Sequence, residues 1–161
     1  MPVTLSTPLS LYSIPAVWLT AFLPATMKTM LIEKVKGYNN LEPRPTTSRI
    51  ATDRAIPPAV AARILRMEGA HLNGYENFPI WIAAVLAGNM AGLDARTLNV
   101  VSLLYVAGRI TYNFVYFNQA TEFQSWVRWA VPFHSTVYPC SLTPLPMYLI
   151  FKAAGKMAAA A

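Results

Sequence analysis

Four long apolar stretches alternate with polar segments along this chain. They cover about residues 9–32, 78–93, 98–118 and 126–151. The first is about 36 Å long as a helix, which exceeds the roughly 30 Å hydrocarbon core of a bilayer. The stretch 78–93 is too short to cross alone, so its helix must include the turns before it. The pattern predicts an all-α, integral-membrane four-helix bundle forming one domain over 1–161, with spans over about 9–32, 62–93, 98–118 and 124–151.

Prolines and polar residues mark the ends of these stretches. Residues 33–58 are rich in glycine, asparagine, proline and charged residues, which predicts a loop. A helix can begin at Pro58, because proline suits the first helical turn. Pro79 can kink that helix without ending it, since membrane bundles tolerate proline. A cleaved signal peptide is the alternative for 9–32. We favour a retained helix, because no basic region precedes the stretch and no small-x-small cleavage site follows it.

The composition supports a membrane protein. The chain is 55% hydrophobic and 12% charged, against roughly 25% charged residues in soluble domains. Cys140 is the single cysteine, and the two histidines, His71 and His134, lie far apart. These residues exclude an internal disulfide and make a metal centre improbable.

The positive charges are concentrated after the first apolar stretch. The net charge is +6, and eight of the thirteen Lys and Arg fall between residues 28 and 66. This asymmetry predicts that the first loop faces the cytoplasm. Nucleic acid is the other class of partner that a basic chain suggests, but no aromatic-rich soluble domain accompanies the charges.

Polar residues form stripes on two of the predicted helices, since residues three, four or seven positions apart share a helix face. The second span carries Arg66, Asn73, Glu76 and Asn77, and the third carries Tyr105, Arg109, Tyr112 and Tyr116. One interpretation is that Glu76 and Arg109 form a buried ion pair that holds the bundle together. The other is a binding site, because ionisable groups within membrane segments usually serve function.

Two motifs on these helices resemble the MAPEG family, the membrane-associated proteins of eicosanoid and glutathione metabolism. The first is N-x-x-E-x-F-P, formed by Asn73, Glu76, Phe78 and Pro79. The second is R-x-x-Y-x-x-x-Y, formed by Arg109, Tyr112 and Tyr116. With the basic first loop and the four spans, the resemblance covers most of the chain.

The resemblance implies a homotrimer in an intracellular membrane such as the endoplasmic reticulum, with glutathione in clefts between subunits that open to the cytoplasm. It assigns Asn73, Glu76, Arg66, Arg109 and Ser125 to glutathione binding. It assigns Arg128, Tyr112 and Tyr116 to catalysis. In this scheme Glu76 accepts a hydrogen bond from the ammonium group of glutathione, and Arg66 meets its carboxylates.

The sequence departs from the family pattern at three positions. Family transferases place an arginine, often followed by serine, at the start of the fourth helix, where this chain has Gln124-Ser125. Arg128, one turn further on, is the expected thiol activator. Gly69 and Leu72 stand where some relatives carry arginine, which implies weaker glutathione binding. His71 is expected to face a loop or cap a helix, and His134 and Cys140 are expected to pack.

Three functions remain open from the sequence. The first is a glutathione S-transferase that acts on a lipophilic electrophile delivered by the bilayer. The second is a glutathione-independent isomerase or cyclase of a lipophilic intermediate, with Glu76, Tyr112 or His134 as acid and base. The third is a non-catalytic membrane scaffold.

Overall fold

Helices form all the regular secondary structure in the residues that the computed structural model describes, which are 4–41, 43–119 and 144–161. A short 3-10 turn, Ser10–Tyr12, leads directly into the first α-helix. The α-helices are α1 (Ser13–Lys36), α2 (Pro43–Thr52), α3 (Pro58–Met90), α4 (Ala95–Asn118) and α5 (Pro144–Ala158). The prediction of an all-α fold is confirmed for these residues.

The helix α1 extends further than the predicted 9–32 and ends at Lys36. Gly37 follows with φ 83°, a left-handed conformation that glycine adopts without a steric penalty. The prediction of a loop over 33–58 is wrong for Pro43–Thr52, which forms α2. Ile50 of α2 is buried in a cluster with Ile32 and Ile64. Such tertiary burial stabilises a short helix that local propensity alone would not.

The helix α3 is the central element and contacts all four other helices. It begins at Pro58 and continues through Pro79, as predicted, and ends at Met90. Close packing against α1 depends on Gly74, because a Cβ added there would lie 2.6 Å from Cβ of Ala21. Small residues let helix backbones approach closely in this way.

Pro24 leaves one carbonyl group inside α1 without its helical hydrogen-bond donor. Proline has no N–H, so the carbonyl of Thr20 loses its helical donor. Nδ2 of Asn113 in α4 donates to this Thr20 oxygen at 2.7 Å. Nδ1 of His71 in α3 lies 2.9 Å from the neighbouring carbonyl oxygen of Ala21. The expectation that His71 faces a loop or caps a helix is therefore wrong, since it bridges two helices.

The far half of the bundle, where α4 begins, has an apolar interior. The ring of Tyr105 stacks on Trp81 with centroids 4.1 Å apart. Both rings lie in a buried cluster with Val85, Leu98 and Leu149. Tyr105, although it lies on the predicted polar stripe, is thus part of the hydrophobic core.

The helix α5 runs to Ala158, whereas the fourth span was predicted to end at 151. Pro144 lies at its first residue, where proline is tolerated. Its later turns are held by burial of Ala153 and by a hydrogen bond from Nζ of Lys156 to the carbonyl of Gly92. Most of the predicted span 124–151 lies outside the described residues.

Two segments among the described residues are long and apolar enough to cross a membrane, Ser10–Lys36 and Ala95–Asn118. Only 22% and 44% of their most apolar windows are buried within the chain. A core helix of a soluble protein would be mostly buried, so this exposed apolar surface favours a lipid environment. The helix α3 is not one of these two segments, because its polar stripe lowers its mean hydropathy. The predicted membrane span over 62–93 therefore stays a prediction.

Candidate functional site

The polar stripes of α3 and α4 meet at Asn73 and Tyr112. Nδ2 of Asn73 donates to the hydroxyl oxygen of Tyr112 at 2.8 Å. Tyr112 stacks on Tyr116, one turn along α4, with ring centroids 5.6 Å apart and planes 15° from parallel. Three of the residues predicted from the two motifs therefore form one connected group.

Arg109 lies beneath this group. Its guanidinium carbon is 5.0 Å from the centroid of the Tyr112 ring, a cation–π geometry that favours a fixed ring orientation. The residue is only 1% exposed. Its Nη2 lies 3.1 Å from where a Cβ on Gly74 would be. Arg109 thus supports Tyr112 from inside the bundle, beside the contact between α1 and α3.

Gly69 has a packing role that the sequence did not reveal. A Cβ added at Gly69 would lie 2.6 Å from the hydroxyl oxygen of Tyr116. Its absence lets the Tyr116 ring lie against α3. The position where some relatives carry arginine is therefore filled here by a tyrosine from α4.

Arg66 lies at the end of the group nearest the first loop. Its Nε donates to the carbonyl oxygen of Phe117 at 3.4 Å. Phe117 is in the last turn of α4, where carbonyl groups lack helical donors and the helix dipole is negative. The half-buried Arg66 side chain thus joins α3 to the carboxyl end of α4.

Glu76 has a different environment from the rest of its stripe. It is exposed and makes no hydrogen bond or ion pair with any described residue. The interpretation of Glu76 and Arg109 as a buried ion pair is therefore wrong. Asn77, by contrast, is buried and donates from Nδ2 to the carbonyl of Asn73 at 2.8 Å. Because α3 runs antiparallel to α1 and Gly74 packs against Ala21, Glu76 lies near the level of Leu19, close to the middle of the apolar stretch 9–32.

An ion pair that sequence reasoning missed lies close to this group. Nζ of Lys28 in α1 is 2.5 Å from Oε2 of Glu68 in α3, and the Lys28 side chain is largely buried. Lys28 is one of the cations between residues 28 and 66 whose excess predicts a cytoplasmic first loop. The position of Lys28 within the apolar stretch 9–32 could have predicted an ion pair, because a cation in a membrane segment needs a partner.

The remaining predicted site residues, Ser125 and Arg128, lie outside the described residues. Gln124, His134 and Cys140 lie outside them as well. The described residues provide an amide, two stacked phenols, an exposed carboxylate and the half-buried guanidinium of Arg66 on adjacent faces of α3 and α4, whereas the guanidinium of Arg109 is buried behind Tyr112. Such a set offers donors, acceptors and both signs of charge to a zwitterionic ligand.

Comparison with known proteins places the chain in a family. Neither the curated proteins nor the solved structures yielded a match. The family model described as "MAPEG family" matches residues 9–155. This match includes both polar motifs and nearly all of the described helices. The all-helical fold and the family match together show that the chain is a membrane-associated protein that belongs to the MAPEG family.

Proposed function

We propose that this protein is an integral-membrane, homotrimeric glutathione S-transferase that acts on a lipophilic electrophile. The observation that carries the proposal is Glu76, an exposed carboxylate without a described partner, level with the middle of the apolar stretch 9–32. An ionised side chain facing hydrocarbon costs about 2.5–3.5 kcal/mol on insertion scales. Glu76 therefore needs a polar counterpart from outside the described residues, and we assign that role to the ammonium group of glutathione.

The neighbouring groups suit the rest of the tripeptide. Glutathione carries two carboxylates, and Arg66 at the first-loop end of the group offers a guanidinium to one of them. Asn73 and the Tyr112 hydroxyl present hydrogen-bonding groups to its peptide backbone. A neighbouring subunit of the trimer closes the cleft over these residues, and the cleft opens to the cytoplasm.

Transfer requires the thiolate of glutathione. A thiol has a pKa of about 8.5, and lowering it by two units requires about 2.7 kcal/mol of preference for the anion. A guanidinium at about 4 Å in an effective dielectric of about 20 supplies roughly 4 kcal/mol. We assign this role to Arg128 and count Ser125 among the residues that bind glutathione. The sulfur forms a C–S bond, the leaving group departs with the electron pair of its bond to carbon, and the thiol proton passes to solvent.

The membrane brings the two reactants together. Glutathione is soluble and enters from the cytoplasmic side, whereas the electrophile partitions into the bilayer and enters laterally. We place the protein in the endoplasmic reticulum membrane with its basic first loop in the cytoplasm. There the protein can receive glutathione from the cytoplasm and the electrophile from the bilayer.

Calorimetric titration of the detergent-purified protein with glutathione tests the proposal. We expect saturable binding at millimolar concentrations or below. The substitution Glu76→Gln should weaken it about tenfold or more, because a hydrogen bond to a charged group contributes about 1.5–3 kcal/mol. The matched control is Glu33→Gln, an exposed carboxylate of α1 that bonds only to the next loop. No binding at millimolar glutathione, or equal affinity for Glu76→Gln, contradicts the proposal.

The glutamine at position 124 favours a second candidate function, because it carries no charge to activate a thiol. In that case the protein is an isomerase or cyclase of a lipophilic intermediate, with Glu76, Tyr112 or His134 moving protons. Turnover that persists after glutathione is removed would support this candidate. Loss of conjugation in Arg128→Ala would support the transferase. A scaffold would keep its assembly and its function in Glu76→Gln.

A further inference from the structure

A groove of about 230 Å³ lies between α1 and α3 near the first loop. Half of the residues that line it are methionines, and two are cations: Met27, Met30, Leu31, Lys34, Arg63 and Met67. The Asn73–Tyr112 group lies between α3 and α4 instead. The groove is therefore separate from the candidate functional site.

The two cations lie at nearly the same height on the two helices. Lys34 is six residues beyond Lys28 in α1, or about 9 Å along the helix, and Arg63 is five residues before Glu68 in α3, or about 7.5 Å. Lys28 and Glu68 form an ion pair, and the two helices run antiparallel. Both distances therefore run towards the first loop, which places Lys34 and Arg63 together at the mouth of the groove.

Neither of these two cations has a counter-charge among the described residues. Both side chains are exposed, and neither makes a hydrogen bond or an ion pair with any described residue. The nearby carboxylates are engaged elsewhere, since Glu33 accepts from the N–H of Tyr38 and Glu68 belongs to the ion pair with α1. Two like charges that line one groove repel each other, so this groove favours an anion.

Below the cations the groove is apolar. Lys34 comes two residues after the end of the apolar stretch 9–32, where lipid headgroups begin, and Met27 lies about 10 Å deeper along α1. Met27 and Met30 are exposed, whereas Met67 is buried. Flexible methionine side chains adapt to irregular apolar partners. A ligand that fills the whole groove therefore needs an anionic head followed by a hydrocarbon chain.

An anionic phospholipid meets both requirements. The excess of cations at this end of the bundle predicts the cytoplasmic side. The cytoplasmic leaflet carries anionic lipids, and basic pockets between membrane helices bind their headgroups. Phosphatidylcholine suits the groove less well, because its ammonium group would find no carboxylate among the described residues of the lining. A soluble anion would leave the methionines uncovered.

We propose that this groove binds one anionic glycerophospholipid, whose phosphate lies between Lys34 and Arg63 and whose acyl chain covers Met27 and Met30. The lipid neutralises the two cations and holds α1 against α3 at the end nearest the first loop. This site does not depend on the proposed transferase activity.

Photolabelling of the full-length protein in detergent tests this site. The probe is phosphatidylglycerol with a diazirine in the middle of one acyl chain, and labelled peptides are mapped by mass spectrometry. We expect label on residues 27–31 and on Met67. A basic residue near the membrane surface contributes about 1 kcal/mol, or about fivefold. Unlabelled phosphatidylglycerol should therefore compete about 25-fold better than phosphatidylcholine with the same acyl chains.

Three variants and a control separate this site from general attraction to a basic surface. Lys34→Gln and Arg63→Gln should each weaken competition by phosphatidylglycerol about fivefold and leave that by phosphatidylcholine unchanged. Lys34→Arg keeps the charge and should keep the preference. Arg54→Gln is the matched control, because it removes an exposed cation of the same end that lies outside the groove. All these side chains are exposed, so the variants should elute in detergent as the unmodified protein does.

Four results would overturn the proposal. Equal competition by the two lipids would remove the role of the cations. An effect of Arg54→Gln as large as that of Arg63→Gln would indicate general electrostatic attraction. Label that is absent from 27–31 would place the lipid elsewhere. Competition by glycerol 3-phosphate as strong as that by phosphatidylglycerol would show that the groove binds a free anion.

Discussion

Two polar side chains in the middle of this bundle contact backbone carbonyl groups of α1 near Pro24. Pro24 removes the donor for the carbonyl of Thr20, and Asn113 replaces it from another helix. His71 engages the next carbonyl, that of Ala21. In an apolar environment the Thr20 carbonyl must find a donor within the protein. These residues are therefore structural, although they neighbour Asn73 and Tyr112 in sequence.

A double-mutant cycle between Pro24 and Asn113 tests this interpretation. We expect Asn113→Leu to lower the free energy of unfolding by about 1–3 kcal/mol, because it leaves a buried carbonyl without a donor. In a Pro24→Ala background the helix supplies its own N–H, so the same substitution should cost about 1 kcal/mol less. Denaturant unfolding of the protein in detergent measures the loss of stability in each background. Equal losses in the two backgrounds would exclude the proline as the cause.

At the scale of elements, the connection between α1 and α3 is more ordered than its composition suggests. It contains α2, and Nζ of Lys36 at the end of α1 donates to a carboxylate oxygen of Asp53. The N–H of Ala55 donates to the other oxygen at 2.9 Å. The hydrogen bond from Lys36, and then that from Ala55, holds the pKa of Asp53 below its ordinary value of 3.8.

Acid should loosen this connection. Because the pKa of Asp53 is lowered in the folded state, its stabilising contribution is present above about pH 4 and is lost as pH falls through the folded value. We expect the protection of the α2 amides, measured as the exchange rate relative to the unfolded chain at the same pH, to fall below pH 4. Asp53→Asn should remove the acid step, whereas Asp94→Asn, at the start of α4, should keep it. An acid step that persists in Asp53→Asn would assign it to another group.

At the scale of the whole molecule, the exposed surface indicates what surrounds the chain. Large apolar residues such as Leu103, Phe114 and Phe151 are exposed, and lipid is the solvent that accepts them. Glu76 is also exposed and is not suited to lipid. A surface that has both exposed apolar side chains and an exposed carboxylate favours an assembly in which one face contacts lipid and another contacts a neighbouring subunit.

The proposed trimer can be measured directly. Light scattering in detergent, corrected for the bound detergent, should give a protein mass three times the chain mass of 17.8 kDa. Cross-linking in native membranes should give the same species, because an interface that shields Glu76 exists before extraction. A monomer by both measurements would contradict the trimer and, with it, a glutathione cleft between subunits.

Predictions from sequence succeeded where the signal was local. Proline at the first turn placed the start of α3 at Pro58, and the three- and four-residue spacing brought Asn73 and Tyr112 onto facing stripes. They failed where the partner is distant in sequence. The ion pair of Lys28 was not predicted, because its partner Glu68 lies forty residues away in the sequence. The helix α2 was missed because its stability comes from the burial of Ile50.

The sequence by itself determined the helical class, the apolar stretches, the two motifs and hence the family, because periodicity and spacing are properties of a single segment. Only the tertiary structure decided which members of a stripe face inward. Arg109 lies buried beneath Tyr112, whereas Glu76 is exposed. It also decided that Gly69 receives Tyr116. These outcomes depend on how closely α1, α3 and α4 pack, and that distance is set by side chains from all three helices together.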